Sequence, residues 1–582
     1  MESLFLGRDR QSGRDVYLPT AVLAKHAHLP GSTGSGKTTA LLALLQQLLL
    51  DVRQPACHFI VDFLGGMSLE LLLWMASRYC PESVRRRLLY ICPANEGAVL
   101  GFNPLHYQSP AEAYYRCARA TELILRGWES QDIQAMPRLA RWTFNSFHAM
   151  QQLQLTIGDA AHLLFPGSKL HRPLLACLPE RLRYEWHELI DSRSAEVLRT
   201  LDSTRNRLKP FFDADVLRLM FSSTSNRADV ARMMRERRIV LLNLSPQNRL
   251  APQLADTFAG LFFNELLTTA RSLPPQERVE TYCWLDEFQR MISGPDLEFA
   301  IPEVRQLKIR LLLAHQSFSQ LKRGEVDLSS LIWQAQTRLA FANHGDDADL
   351  LAHELASLTF DPMRVKDEIW SRRQLVTGHR VVELASWSQA DALADQWQET
   401  YGQNWSRRRT YIDDRLGPTA TTEGQSRGST TGGGQTRTDS RGGHQSLVPE
   451  YDQFLELSSR SYVNYQEHRE CWAQTVRTLT TGQTLLWTPD GTGLRHVDVS
   501  QRRPGPLAFP ADVIFARFPA LVDRYQQLIE DNFAQREFFV SPAMIEQETR
   551  QRLERVLADR HTLSLGGAAP QSENDPSTDP FL

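Results

Sequence analysis

One short segment of the chain has the residue types and spacing of a phosphate-binding loop. It fits the pattern G-x-x-x-x-G-K-[ST] and consists of Gly31, Ser32, Thr33, Gly34, Ser35, Gly36, Lys37 and Thr38, followed by Thr39. Glycines let successive backbone N–H groups turn inward on the phosphates of a nucleotide. Lys37 would neutralise these phosphates, and the Thr38 hydroxyl would ligate magnesium. The segment therefore predicts that residues 31–39 bind ATP together with Mg²⁺.

An acidic pair, Asp286 and Glu287, follows the apolar run at residues 282–285. Asp286 is expected to hold the magnesium shell, and Glu287 is expected to orient and polarise the attacking water. An Asp-Glu pair after a strand is also a common way to begin a surface helix. The phosphate loop upstream favours the catalytic interpretation. Because P-loop kinases and small GTPases generally lack the adjacent glutamate, the pair favours an ATPase of the motor type.

The loop needs a strand before it and a helix after it, and the sequence supplies both. Residues 27–30 have the length of a short strand, and residues 38–50 are an apolar helical run. A chance glycine-rich turn would not need these flanks. Further short apolar runs predict buried strands at residues 58–62, 88–92, 239–244, 282–285, 309–314 and 338–342. Such runs alternating with helical stretches indicate an α/β fold with a mostly parallel sheet.

Two segments interrupt this alternation. Between residues 110 and 226 the strand pattern stops, and Leu139, Trp142 and Phe147 recur at helical spacing, which predicts an all-helical insertion. Residues 417–446 consist mainly of Gly, Ser, Thr, Gln and Arg, which predicts a flexible, disordered linker. The expected domains are a core at 1–109 and 227–365, the insertion at 110–226, a helical or hairpin extension at 366–416, the linker, a small tethered α+β module at 447–562 and a disordered tail at 563–582.

Composition sets broad limits on class and location. The chain has 582 residues, which is too long for one compact core, and its seven cysteines include no C-x-x-C pair that would suggest a zinc site. No apolar run approaches the roughly 20 residues of a membrane span, and no signal peptide opens the chain. We therefore expect a cytoplasmic protein without an integral membrane segment. The net charge of −3 leaves nucleic acid open as a partner, because a ring can confine its basic residues to a channel.

The order of these motifs resembles that of HerA/FtsK-superfamily pumps, and most closely the TraG/TraD-type coupling proteins of conjugation and type IV secretion. The matching positions are residues 31–38, Asp62, residues 285–288, Arg305 and residues 313–317. The resemblance implies a RecA-like P-loop NTPase core, a homohexameric ring and ATP-driven movement of DNA without sequence preference. By position, it implies that Arg305 is an arginine finger for the neighbouring subunit and that Gln316 senses the γ-phosphate. Arg310 lies close by, so the choice of arginine stays open.

Two departures from the family pattern bear on partners. Coupling proteins usually carry an N-terminal transmembrane segment, and none is evident here, which puts docking to a secretion channel in doubt. The family's Asp-Pro-Lys-Gly is replaced by Asp62-Phe63-Leu64-Gly65, so its lysine is lost. A relaxase remains an expected partner of a DNA pump. The alternative function is a nucleotide-switched ATPase scaffold, in an anti-phage or DNA-processing complex, that recruits a nuclease or another effector.

Overall fold

The computed structural model divides into two compact units. It describes residues 2–107, 109–128, 136–191, 195–224, 226–248, 250–293, 303–323, 326–392, 403–410, 420–427, 436–491 and 493–565. The first unit combines Met1–Thr359 with Arg469–Leu582, and the second is Phe360–His468. The candidate site lies entirely within the first unit.

Strands occur in both units. In chain order they are Ser3–Asp9 (β1), Asp15–Pro19 (β2), Ala27–Pro30 (β3), Cys57–Asp62 (β4), Leu88–Ile91 (β5), Val99–Leu100 (β6), Ile239–Asn243 (β7), Thr281–Leu285 (β8), Ile309–His315 (β9), Lys322–Arg323 (β10), Val326–Asp327 (β11), Thr337–Ala340 (β12), Val365–Ala392 (β13), Gln403–Thr410 (β14), Ala420–Arg427 (β15), Thr436–Tyr462 (β16), Gln483–Trp487 (β17), Arg495–Val499 (β18) and Phe539–Val540 (β19). The predicted strands of the α/β core are all present among them.

Eleven strands form one sheet in the order β2-β1-β18-β17-β12-β3-β9-β8-β4-β7-β5. Neighbours from β12 to β5 pair in parallel, whereas the pairs from β12 to β2 are antiparallel. The strand β9 lies between β3, which leads into the phosphate loop, and β8, which leads into the acidic pair. Since the carboxyl ends of parallel strands meet at one edge, this order brings three candidate segments together. The predicted α/β fold with its RecA-like parallel core is confirmed.

Helices cover the sheet and form the insertion. They are Lys37–Leu49 (α1), Gly66–Ala76 (α2), Glu82–Arg85 (α3), Pro110–Trp128 (α4), Pro137–Gln152 (α5), Ala160–Leu164 (α6), His171–Ala176 (α7), Glu180–Asp191 (α8), Ala195–Asp213 (α9), Asp215–Phe221 (α10), Val230–Arg235 (α11), Pro252–Ser272 (α12), Ser329–Ile332 (α13), Gly345–Thr359 (α14), Tyr465–Thr478 (α15), Ala511–Arg517 (α16), Pro519–Phe533 (α17) and Pro542–Leu565 (α18). None of the described helices is long and apolar enough to cross a bilayer.

The all-helical insertion is present as α4 to α10. Its predicted apolar face is buried, with Trp142 and Phe147 in the main hydrophobic core. The C-terminal helix α18 is anchored to this insertion by the buried ion pair of Arg552 and Asp159, whose Nη2 and Oδ2 atoms lie 2.8 Å apart. A buried pair of this kind fixes a geometry, because removing one partner leaves an uncompensated charge.

The structure differs from the expected tethered module at 447–562. Strands β17 and β18 form the hairpin predicted around Asp490-Gly491, but they lie in the central sheet, where β17 pairs with β12. Leu485 and Leu486 are buried there. An alternating pattern identifies a hairpin, but it does not identify the sheet edge that the hairpin extends. The segment is therefore part of the core of the first unit.

The linker predicted at 417–446 also differs from the structure. Ala420–Arg427 is strand β15, paired with β14, and residues 436–446 belong to β16, paired with β13. Antiparallel strands satisfy one another through backbone hydrogen bonds, which polar side chains do not prevent. The extension predicted at 366–416 contains β13 and β14, and the helix α18 includes the first residues of the predicted tail at 563–582. The rest of that tail lies outside the described residues.

Side chains protect the β5 edge of the central sheet. Asn532, in α17, accepts a hydrogen bond from Tyr90 N at 2.8 Å and donates one to Tyr90 O at 2.8 Å. Gln535 donates to Leu88 O at 3.1 Å. These amide groups occupy backbone positions that another strand would otherwise seek, so this edge is closed to strand addition.

Candidate nucleotide-binding site

The predicted loop lies between β3 and α1, as its sequence indicates. Gly34 and Gly36 have positive φ angles of 75° and 106°, which strain any residue with a side chain. A Cβ atom at Gly36 would also lie 2.9 Å from Gly482 N. The helix α1 begins at Lys37, and its first turn includes Thr38 and Thr39. Its amino end therefore faces the loop and favours an anion there.

Hydrogen bonds fasten the start of the loop to the sheet. Gly31 N donates to His315 O at 3.2 Å, and Ser32 N donates to Ala342 O at 2.8 Å. The Ser32 hydroxyl donates to the same carbonyl at 3.0 Å. Ser35 N donates to Ser32 O at 3.2 Å, which closes the turn. The loop is thus positioned by the ends of β9 and β12 as well as by β3.

The Lys37 side chain lies inside the loop. Its Nζ donates to Gly31 O at 2.6 Å and to Ser32 O at 3.0 Å. Burial lowers the pKa of this amine, and the nearby carboxylates of Glu287 and Asp286 oppose the shift. A desolvated cation held by two neutral carbonyls can exchange them for phosphate oxygens with a large electrostatic gain. Lys37 therefore fits the phosphate-binding role predicted for it.

Thr38 and Asp286 meet across the site. The Thr38 hydroxyl donates to Asp286 Oδ2 at 2.8 Å. Burial raises the pKa of Asp286 to about 6, and the Thr38 hydrogen bond opposes this shift. Hydroxyl and carboxylate oxygens suit Mg²⁺, which keeps several waters and uses substrate phosphates as further ligands. Among the described residues, no group of three or more His, Cys, Asp or Glu side chains could hold a metal ion.

A chain of hydrogen bonds links the loop to the second carboxylate. The Thr33 hydroxyl donates to Gln316 Oε1 at 2.9 Å, and Gln316 Nε2 donates to Glu287 Oε1 at 2.7 Å. Gln289 Nε2 donates to the other oxygen of Glu287. Glu287 has a φ of 60°, in the left-handed region, which is a strained conformation for a residue with a side chain. The structure therefore brings Glu287, Gln316 and the loop together, and Gln289 is a neighbour that the sequence did not reveal.

The two candidate arginines have different surroundings. Arg310 Nε donates to Glu280 Oε1 at 2.6 Å. Its guanidinium is therefore engaged in an ion pair near the amino ends of β8 and β9. Arg305 is exposed on the turn before β9. Among the described residues, no hydrogen bond joins the Arg305 side chain to the loop or to the acidic pair.

Asp62 has a structural role at the end of β4. Its carboxylate accepts hydrogen bonds from Leu64 N at 3.0 Å, Gly65 N at 2.8 Å and Ser68 N at 2.6 Å. These contacts satisfy backbone groups at the beginning of α2. Leu64, where the family pattern has lysine, is an exposed apolar side chain. The aspartate that Asp62 shares with the family pattern therefore stabilises the turn between β4 and α2.

A buried histidine pair lies directly beneath the loop. His28 Nε2 and His315 Nε2 are 2.7 Å apart, and their rings are stacked at 4.9 Å. Burial lowers the pKa of His315 to about 3 and lowers that of His28 well below its usual value. Both rings are therefore neutral near pH 7, and one donates its N–H to the other. The pair joins β3 to β9 next to Gly31. Two isolated histidines in apolar runs gave no signal of this contact.

A turn from the C-terminal part of the chain holds the outer side of the loop. Thr481 Oγ1 donates to Gly34 O at 3.1 Å, and Gly482 N donates to Ser35 O at 2.9 Å. Val499 N holds this Thr481-Gly482 segment in place by donating to Gly482 O at 2.8 Å. Because C=O and N–H point in opposite directions in a trans peptide, holding these carbonyls outward directs the following N–H groups inward. The Thr481-Gly482 turn is thus a positioning element.

Replacing Thr481 with valine should loosen the loop without unfolding the chain. The change keeps the side-chain shape and removes one hydrogen bond, worth about 1 kcal/mol. In the nucleotide-free protein, we expect amide hydrogen exchange in a peptide spanning residues 34–37 to accelerate by roughly fivefold. Thr481→Ser should restore the slow rate. Thr478→Val is a matched control, because the Thr478 hydroxyl contacts only α15 carbonyls in the described structure. Equal exchange in Thr481→Val and the wild type would refute this role.

Comparison with known proteins adds a family match to this geometry. Residues 280–373 match the family model described as the TraM recognition site of TraD and TraG. The resemblance to TraG/TraD-type proteins is confirmed. The TraG/TraD-like segment contains Asp286, Glu287, Arg305 and Gln316. No curated protein matches the chain.

Several solved structures are similar to this chain at low identity. The unbound conjugative coupling protein TrwBdeltaN70 is 13% identical, with 86% of this chain and 89% of that chain covered and a TM-score of 0.46. TrwB with the ATP analogue ADPNP is 12% identical, with coverage of 86% and 90% and a TM-score of 0.47. VirB4 of Thermoanaerobacter pseudethanolicus is 14% identical, with coverage of 60% and 87% and a TM-score of 0.38.

Proposed function

We propose that this protein is an ATP-hydrolysing DNA translocase that works as a ring, as a coupling protein of conjugation or type IV secretion. The observation that carries the proposal is the hydrogen-bonded series Thr33, Gln316 and Glu287. It connects the loop that would hold the γ-phosphate to the carboxylate that would act on water. Such a connection lets a subunit couple nucleotide state to catalysis. The TraG/TraD match across residues 280–373 supports the coupling-protein context.

The contacts in the site support a role for each residue. Lys37 and the N–H groups of residues 31–39 would bind the phosphates, and Thr38 with Asp286 would hold Mg²⁺. The bound ion supplies charge neutralisation at the phosphates. Glu287 would orient the attacking water and polarise it. Gln316 would sense the γ-phosphate, because its amide contacts both Thr33 and Glu287.

Arg305 is proposed to act on a neighbouring subunit. Arg305 is exposed, which suits a contact between subunits. Arg310, the other candidate arginine, is already engaged in an ion pair with Glu280. An arginine that reaches the transition state from outside makes hydrolysis depend on assembly. A homohexamer is the ring that the family resemblance implies. In that ring, each nucleotide would lie between one Glu287 and the Arg305 of the next copy.

DNA binding and ATP turnover should depend on each other. DNA passing through a ring contacts Lys and Arg along its phosphates, so binding should be insensitive to sequence and should weaken steeply between roughly 50 and 200 mM salt. We expect two duplexes of unrelated sequence to raise the initial ATPase rate equally at low salt and to lose this effect at high salt. Single strands of the same sequences reveal which form is preferred. The Lys37→Ala chain provides the background rate.

Turnover that is independent of DNA, in a preparation verified as hexameric, would contradict the translocase. It would leave the nucleotide-switched scaffold as the better interpretation. In that case ATP would order the ring, and the ring would recruit a nuclease or another effector.

A further inference from the structure

The second unit contains a long two-stranded ribbon. Strands β13 and β16 pair antiparallel from Val365↔Tyr462 to Ala392↔Thr436. A strand of 28 residues extends roughly 90 Å at about 3.3 Å per residue. Within the described part of the chain, no further strand is hydrogen-bonded to β13 or β16. β15 lies close to β16 but is not hydrogen-bonded to it, so each strand of the ribbon keeps an outer row of backbone groups that no ladder pairs. A ribbon of two strands is only marginally stable in water by itself.

One face of the ribbon carries six exposed apolar side chains, interspersed with Arg372 and His379. The register places Trp370 opposite Leu457, Val376 opposite Tyr451 and Val381 opposite Leu447. Alternation along β16 puts these residues and Leu455 on the same face. Trp370, Val376, Val381, Leu447, Tyr451 and Leu455 are each at least 44% exposed. Exposed apolar side chains grouped in this way are typical of an interaction site.

The opposite face carries charges that are separated by strand, together with exposed apolar side chains such as Leu375 and Phe454. On β13 it presents Arg373 and Arg380, which pair with Phe454 and Val448. On β16 it presents Glu450, Asp452 and Glu456 by alternation. One ion pair joins the two stripes within the ribbon, with Arg373 Nε and Glu456 Oε2 at 2.9 Å. The β13 edge is therefore basic and the β16 edge is acidic on this face.

We propose that the outer edge of β13 pairs antiparallel with the outer edge of β16 in a second copy of this chain. Pairing β13 with β13 would place arginines beside arginines, and pairing β16 with β16 would place carboxylates together, which is unfavourable on adjacent strands. Pairing β13 with β16 sets the basic stripe beside the acidic stripe and continues the face that carries the six apolar side chains. Such a head-to-tail contact closes into a ring when the rotation permits. The contact between copies is inferred from the ribbon itself, and only the number of copies in the ring rests on the proposed function.

Complementary charge reversal tests the contact between copies. One full-length variant carries Arg373→Glu and Arg380→Glu, and the other carries Glu450→Arg and Asp452→Arg. Each variant alone should assemble about tenfold more weakly than the wild type, because like charges then face each other between copies. An equimolar mixture should recover assembly, measured by sedimentation without nucleotide or DNA. Charges within each ribbon stay mismatched in the mixture, so only a contact between copies can produce the rescue.

Crosslinking provides a second measurement if a variant folds poorly. In a Cys471→Ser background, which removes the exposed cysteine, one chain carries Gln374→Cys on β13 and another carries Gln453→Cys on β16. A short bismaleimide should join the two different chains in preference to identical chains. Dominant crosslinks between identical chains, or full assembly of both charge variants alone, would overturn the proposal. Absence of rescue between two folded variants would also overturn it. Loss of ATPase activity has no bearing on either readout, so this inference and the proposed function can fail separately.

Discussion

Replacing Lys37 with alanine is expected to abolish measurable ATP binding while the chain stays folded. The alanine leaves the glycine backbone in place but removes the buried ammonium that Gly31 O and Ser32 O now hold. Losing charge-assisted hydrogen bonds from a desolvated site costs about 3 kcal/mol or more, which corresponds to a loss of affinity of about 100-fold or more. Isothermal titration with ATP and Mg²⁺ measures the effect, and thermal unfolding verifies the fold.

A lysine away from the site provides the control for that result. Lys209, on α9, is exposed and lies 3.5 Å from Asp213, so Lys209→Ala should leave ATP affinity unchanged. Near-normal ATP affinity in Lys37→Ala would remove the phosphate-binding role from this residue. A fall in affinity of the same size in Lys209→Ala would show that net charge, and not the loop cation, governs binding.

Replacing Glu287 with glutamine should separate binding from hydrolysis. The amide keeps the shape and can still contact Gln316, but it cannot polarise water as a carboxylate does. Turnover should fall by about 10²- to 10⁴-fold with ATP affinity within a few-fold of the wild type. Glu280→Gln is the matched control, because Glu280 pairs with Arg310 at the other end of β8. Normal turnover in Glu287→Gln, or equal loss of affinity in Lys37→Ala and Glu287→Gln, would contradict the assigned roles.

The glutamine variant also tests whether Arg305 acts in trans. Chains with Arg305→Ala and chains with Glu287→Gln should each be inactive alone. Mixed rings contain interfaces where an intact Glu287 meets an intact Arg305, so mixing should restore part of the turnover. No recovery at any ratio, with mixed rings verified by mass, would show that another residue is the finger or that the sites are autonomous.

Local patterns were enough to predict the core of the site. The glycines and Lys37 identify a loop because each responds to a constraint within a few residues, and the apolar run before Asp286 identifies its strand in the same way. Parallel strand ends meet at one edge, so the approach of Asp286 to Thr38 also followed. Family resemblance alone points to Gln316, and the structure shows that its amide contacts Thr33 and Glu287.

Contacts between distant segments could not be predicted in this way. Thr481 reaches Gly34 across 447 residues, and nothing in a Thr-Thr-Gly turn indicates which backbone it touches. The hairpin of β17 and β18 was evident from its alternation and its Asp-Gly turn, but its place beside β12 depends on a free sheet edge. Composition misled for residues 436–446, because backbone pairing in β16 needs no apolar side chains. Long-range pairing is where local signals carry least information.

We propose that ATP hydrolysis moves this protein along DNA, and the decisive assay is displacement of streptavidin from biotinylated DNA. The hexameric wild-type chain should release streptavidin with ATP and Mg²⁺, because each cycle of hydrolysis advances the strand against the obstacle. A non-hydrolysable analogue, or the Glu287→Gln chain with ATP, should leave the streptavidin bound. Release that is equally fast without hydrolysis, or no release by a hexamer that turns over ATP, would contradict the account.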